Sequence, residues 1–149
     1  MADTRLLAAS PSDVLKQVHD RLRHLFAEHA RTAPEPSEAR TTLFRQIRHD
    51  LRVHGAIERE YLYPSLKDGA RSIAEDHVAM DGLVDKLSEM NPSDKSYDAL
   101  MKLLEEAFTV HAAVEERDLF PRLGRLSPLD RQELTLKLEN ARDRLAASD

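Results

Sequence analysis

The chain contains no cysteine. Disulfides, thiolate metal sites, iron–sulfur clusters and thiol nucleophiles are therefore excluded. Only 4 glycines and 5% aromatics are present, and β-branched runs are missing. Leu, Ala, Glu, Arg and Asp dominate instead, a helical composition, and no sheet is expected. No apolar stretch is long enough to span a bilayer, and the run Leu6–Ser10 is too short for the core of a signal peptide. A soluble, cytoplasmic protein is expected. The net charge of −5 is moderate with the signs interspersed, which argues against nucleic-acid partners and against an anionic membrane surface. A length of 149 residues suits a single domain with a real core.

Helix signals divide what remains. Ser10-Pro11-Ser12-Asp13 offers an N-cap, a proline at the first helical position and an acid at the third. A helix is expected from about 11 to 30, with Leu15, Val18, His19, Leu22, Leu25 and Phe26 at helical spacing. Prolines 34 and 36 break it, and Ser37 is a candidate cap for a second helix over about 37–63. The inward stripe of that helix is Phe44, Ile47, Leu51, His54, Glu58 and Tyr61, the repeat of a left-handed bundle seam. Gly69 punctuates the connection to a third helix, about 70–90, with stripe Ile73, His77, Met80, Val84 and Leu87. Asn91-Pro92-Ser93-Asp94 starts a fourth, about 94–120, which carries Leu100, Leu104, Ala107, Phe108, His111 and Glu115. Ser127-Pro128-Leu129-Asp130 repeats the first start signal and opens a fifth helix to about 146, with Leu134, Leu138 and Leu145. Long helices joined by short loops favour an all-α, antiparallel up-down-up-down four-helix bundle over about 11–124, with an appended C-terminal helix over about 127–146.

The chain is also a repeat. His54-Gly-Ala-Ile-Glu58, running on to Leu62-Tyr63-Pro64, has a near copy in His111-Ala-Ala-Val-Glu115, running on to Leu119-Phe120-Pro121. In each copy a His and a Glu four residues apart share one helical face, so an imidazole and a carboxylate project together. His19 and His77 precede these copies at nearly equal intervals. Four of the seven histidines therefore fall one per helix on an apolar stripe. His24 and His49 are turned away from that face by roughly 140° and His29 by about 80°, and all three are assigned to the surface.

A single histidine on such a stripe is ordinarily a core or boundary residue. Two carboxylates and four imidazoles buried without partners are another matter, because each ion would cost several kcal/mol. A shared metal removes that conflict. The donor set, nitrogen and oxygen without thiolate, suits iron, manganese or zinc. Six ligands exceed what one tetrahedral zinc takes and match two metals bridged by Glu58 and Glu115. Two irons are expected, with zinc or manganese as substitutes.

The order His19 … His54-x-x-x-Glu58 … His77 … His111-x-x-x-Glu115, with Leu25-Phe26 after the first histidine and Leu-Tyr-Pro64 and Leu-Phe-Pro121 after the glutamates, resembles the hemerythrin-like (HHE cation-binding) family over about residues 12–124. The resemblance implies a non-haem di-iron site with a bridging oxo or hydroxo group. His19 and His54 would serve one iron, His77 and His111 the other, and Glu58 and Glu115 would bridge. It implies a small diatomic ligand, O2 or NO, or peroxide. Two departures from the oxygen carriers stand out. Ile73 occupies the position of their second helix-three histidine, and the last motif has Glu115 at i+4 and Glu116 at i+5 instead of an aspartate at i+5. The lost imidazole leaves more open coordination, so sensing, iron handling or reaction with peroxide or nitric oxide become alternatives to carriage. Asp81, one turn after His77, is a candidate replacement ligand. Tyr61 is a candidate hydrogen-bond donor, and Met80, Leu22, Phe26, Phe108 and Leu119 are candidate dry walls.

Overall fold

The computed structural model describes residues 10–66 and 71–147, the side chains of 71–74 excepted. Gly69 and the side chain of Ile73 lie outside the described residues, as does the lead-in over 1–9. All regular structure among the described residues is helical.

Helix α1 spans Pro11–Ala30, and the Ser10 hydroxyl accepts the Asp13 N–H at 3.2 Å as the start signal predicts. Helix α2 covers Glu38–Ile57. Ser37 does not cap it through its side chain; its carbonyl accepts from Thr41 instead. Helix α3 is Arg71–Ser88 and α4 is Lys95–Val114. Helix α5, Pro128–Ala146, opens with the Ser127 hydroxyl accepting the Asp130 N–H at 3.1 Å. The second Ser-Pro-x-Asp thus does what the first does.

Both repeat copies loosen at the same point. After Ile57 the chain makes one π-helical turn, Glu58–Leu62, and closes with a short α turn, Tyr63–Ser65. After Val114 it makes a second, Glu115–Leu119, and closes with Phe120–Leu123. The Tyr63 N–H reaches back to the Glu58 carbonyl and the Phe120 N–H to the Glu115 carbonyl, each five residues earlier. The cause is local. Pro64 and Pro121 lack an N–H and crowd the carbonyl four residues back, so the ladder opens just before each proline.

Helix α1 lies along α2, and α3 lies along α4. Helix α5 packs on α1 and α2. Its contact is substantial, since Leu134, Leu138 and Ala141 join Val14, Leu15, Ile57, Leu62 and Leu123 in one apolar cluster. A second cluster holds Leu22, Phe26, Ile47, Met80, Leu87, Leu104 and Phe108. Burial of each such large side chain contributes about 1.5–3 kcal/mol. The two clusters do not merge. Between Val18 and Leu22 on α1, and between Leu51 and Ile57 on α2, the chain places His19 and His54. A polar layer therefore divides the core.

Candidate metal centre

Six side chains make up that layer: His19 from α1, His54 and Glu58 from α2 and its π turn, His77 from α3, and His111 and Glu115 from α4 and its π turn. Every one of them is buried, and both glutamates have no solvent exposure. The residues singled out in the sequence as metal ligands are thus brought together.

Their contacts follow a two-sided plan. Glu58 Oε2 faces His54 Nε2 at 2.9 Å and His19 Nε2 at 3.2 Å. Glu58 Oε1 faces His77 Nε2 at 2.9 Å and His111 Nε2 at 3.2 Å. Glu115 Oε1 stands 3.1 Å from both His19 Nε2 and His111 Nε2. Each carboxylate therefore reaches both imidazole pairs. Ligand atoms of His54, Glu58, His77 and His111 lie within 4.8 Å of one another, as do those of His19, His54, Glu58 and Glu115. The two groups share His54 and Glu58, a spacing for two neighbouring cations.

Part of this layer satisfies itself without a metal. Burial disfavours charge on His19, but the adjacent Glu115 and Glu58 carboxylates outweigh it and raise its pKa to about 9. Burial likewise opposes a proton on His111, yet Glu115 and Glu58 raise it to about 10. Burial pushes Glu58 up, but His54 and hydrogen bonds from His111 and His19 hold it well below the usual carboxylate range. Burial and the neighbouring Glu58 push Glu115 up, and the imidazoles pull it down. Two imidazolium–carboxylate pairs thus balance the charge, which weakens the expectation from desolvation cost alone that a metal is required.

Orphaned atoms supply the better test of fit. His54 Nε2 and Glu115 Oε1 are buried and lack a partner in hydrogen-bond geometry, although each has a donor or acceptor within about 3 Å. His77 Nε2 and His111 Nε2 meet at 3.0 Å. Nitrogen and oxygen atoms crowded to this spacing, two of them outside hydrogen-bond geometry, are what a shared cation orders. Ligands about 2.1 Å from one ion at right angles lie about 3 Å apart. The donor set fits a bound cation.

The surrounding shell was only partly legible. His19 Nδ1–H donates to Glu116 Oε2 at 2.8 Å, and Arg23 pairs with the same oxygen at 2.7 Å. His111 Nδ1–H reaches Asp76 Oδ2 at 3.3 Å. Partners of this kind orient metal-binding imidazoles. Phe120 stacks on His19 at 5.5 Å between ring centres, and Phe108 meets His19 and His54 edge-on. The candidate walls Leu22, Phe26, Met80, Phe108 and Leu119 are all buried, and Met80 also lines a cavity beside His54 and His77.

Two candidates stay out of the layer and two surface assignments change. Tyr61 is half-buried against the apolar cluster that holds α5. The tyrosine that enters is Tyr63, whose hydroxyl lies 3.0 Å from Glu115 Oε2, 3.1 Å from Glu58 Oε1 and 3.2 Å from His77 Nε2. The π turn is the reason, because it carries residue i+5 onto the face of residue i. A proline six residues after the glutamate was the available signal. Asp81 is exposed and belongs to neither cation-sized group among the described residues. His29 is not on the surface. It is 4% exposed, with Nε2 2.8 Å from the Tyr97 hydroxyl. His24 is exposed as expected, whereas His49 is half-buried with its Nε2 shielded.

Comparison with known proteins agrees with this geometry. The model of the "Hemerythrin HHE cation binding domain" matches residues 10–135. Uncharacterized protein Rv2633c of Mycobacterium tuberculosis is 30% identical over 138 residues, spanning 91% of this chain and 82% of that protein. Uncharacterized protein Mb2666c of Mycobacterium bovis matches to the same extent. The crystal structure of a hemerythrin HHE cation binding domain-containing protein, the Rv2633c homolog from Mycobacterium kansasii, superimposes with a TM-score of 0.82 at 21% identity, covering 96% of this chain and 90% of that one. The helical bundle, the repeated His-x-x-x-Glu motif and the buried His/Glu layer therefore place this chain in the hemerythrin HHE cation-binding domain family.

Proposed function

We propose that this protein holds two iron ions, bridged by an oxo or hydroxo group, on His19, His54, Glu58, His77, His111 and Glu115, and uses them to bind or sense O2 or a related small ligand. The observation that carries this reading is the buried His/Glu layer with His54 Nε2 and Glu115 Oε1 unpartnered. The metal pair would supply electrons and an open coordination position. The chain supplies the rest. Glu58 and Glu115 set the spacing of the two imidazole pairs, Glu116 and Asp76 fix ring orientation, and Phe108, Phe120 and Met80 keep bulk water out.

A second reading, an enzyme acting on hydrogen peroxide or nitric oxide, is favoured by Tyr63. Burial and the neighbouring Glu58 and Glu115 raise its pKa well above the usual tyrosine value, so the hydroxyl keeps its proton and offers the layer a fixed hydrogen-bond donor that can orient a peroxide during turnover.

Metal analysis after iron loading tests the core of the proposal. About two irons per chain are expected, lost in Glu58→Ala and in Glu115→Ala but kept in His24→Ala and His49→Ala. Less than about one metal per chain removes both readings. For the function, reduced protein is mixed with O2 while the oxo-to-iron absorption is followed. An adduct that releases O2 under vacuum supports binding. Irreversible oxidation with catalytic loss of added peroxide, abolished in Tyr63→Phe at unchanged iron content, supports the enzyme.

A further inference from the structure

A cavity of about 270 Å³ opens between α2 and α3, with His54 and His77 at its inner end. That is room for a small solute with several waters, each occupying about 30 Å³ as liquid. Three guanidinium side chains, Arg48, Arg52 and Arg59, line it against two carboxylates, Asp81 and Asp85. The surplus charge is positive in a protein that is negative overall.

The inner wall has a ring nitrogen with nothing to bond. His77 is 4% exposed, and its Nδ1 is buried without a hydrogen-bond partner. In this it differs from His19, whose Nδ1 meets Glu116, and from His111, whose Nδ1 meets Asp76. Gly55 lets two of the lining groups approach the same stretch of α2. A Cβ there would stand 2.9 Å from Arg59 Nη1 and 3.5 Å from His77 Nδ1. The guanidinium and the imidazole therefore both come to the bare backbone at Gly55. With a metal on Nε2, the ring proton must sit on Nδ1. Two donors then converge with no acceptor between them.

We propose that this cavity binds a small planar oxyanion of the XO2⁻ class, a carboxylate or nitrite, between the Arg59 guanidinium and the His77 Nδ1–H. A planar anion with two oxygens matches the guanidinium fork and leaves lone pairs for the imidazole. Arg48 and Arg52 raise the local anion concentration at the mouth. The bound anion would complete the outer hydrogen bond of His77 as Glu116 does for His19, so a solute takes the place of a protein carboxylate beside the metal centre. The tautomer part of this inference rests on the proposed metal site; the positive cavity lined by Arg59 and His77 does not.

The test is titration of zinc-loaded and metal-free protein with sodium formate, sodium nitrite and sodium chloride, read by nitrogen-correlated NMR of the arginine and histidine side chains and by calorimetry. Formate or nitrite is expected to shift the Arg59 and His77 signals saturably, more tightly with zinc than without, and chloride is not. Which of the two binds better separates the carboxylate source from the nitrite source. Arg59→Gln should weaken binding by about tenfold or more in both forms. Gly55→Ala should do the same by displacing the Arg59 guanidinium, with zinc content unchanged and the melting temperature not lowered. Saturable binding that both variants leave intact would place the anion elsewhere, on the metal if it also requires zinc, and would overturn the proposal. So would the absence of any saturable shift. A chain that takes up no zinc defeats the metal reading alone, because Arg59 dependence in the metal-free protein still judges the cavity.

Discussion

Metal uptake by this layer should be driven off by acid with a slope of two protons. In the metal-free protein, contacts with Glu58 and Glu115 overcome burial and raise His19 to about 9 and His111 to about 10, so both carry protons at pH 7. A metal accepts only neutral imidazole nitrogen. Stripping protons from groups at about 9 and about 10 costs about 7 kcal/mol at pH 7. Apparent affinity should then rise about a hundredfold from pH 7 to pH 8, a tenfold gain for each proton released. Zinc is the suitable probe, being free of redox chemistry. Proton release is read with an indicator dye in weak buffer, and affinity by chelator competition at stepped pH. The stability of the metal-free protein should move the opposite way. Groups raised above an unfolded value near 6.5 stabilise the fold fully below that pH, and the contribution is lost as pH rises through about 9 to 10. The melting gap between zinc-loaded and metal-free protein should therefore widen from pH 7 toward pH 10. Release of fewer than about one proton, or a flat affinity profile, would show that the imidazoles are already neutral and would refute the charge-balanced picture of the empty layer.

Glu116→Ala removes the acceptor of His19 Nδ1 and should weaken metal binding about 10–100-fold in chelator competition, with helicity unchanged. Tyr97→Phe leaves His29 Nε2 buried without its partner and should cost about 1–3 kcal/mol in denaturant unfolding. Burial, reinforced by Arg40, lowers His29 to about 4, so its neutral form stabilises the fold above about 6.5 and that contribution fades as pH falls toward about 4. Unfolding midpoints at pH 7 and pH 5 should show the loss, and His29→Gln should flatten it. Leu138→Ala, on the inner face of α5, should cost about 2–5 kcal/mol if that helix belongs to the folding unit. A change below about 0.5 kcal/mol, the scale of a surface substitution, would make α5 a loose attachment.

Much of the architecture was legible in one dimension because periodicity and capping are local. Ser10 and Ser127 cap as their neighbours dictate, and apolar stripes at helical spacing gave the number and order of helices. The His-x-x-x-Glu repeat was equally legible, since a four-residue spacing has one geometric meaning on an α-helix. Where the helix stopped being α, the reading slipped: Tyr61 was the candidate donor and Tyr63 is the tyrosine in the layer, because two π turns rephase everything after Glu58 and Glu115. His29 was misplaced for a different reason. At the end of α1 the angular distance from the ligand face says nothing about what covers the other side, and Tyr97 from the start of α4 does so.

By itself, then, the order of residues determined that six polar side chains would share the inward faces of four helices, since spacing along a helix sets direction without reference to anything else. Only tertiary packing decided which atoms meet. Glu116, Asp76 and Tyr63 gain their roles from helices that are distant in sequence, as does the approach of His77 to Gly55. Contact across a bundle depends on helix register and on the exact turn where a ladder loosens, and neither is written in the spacing of any single helix.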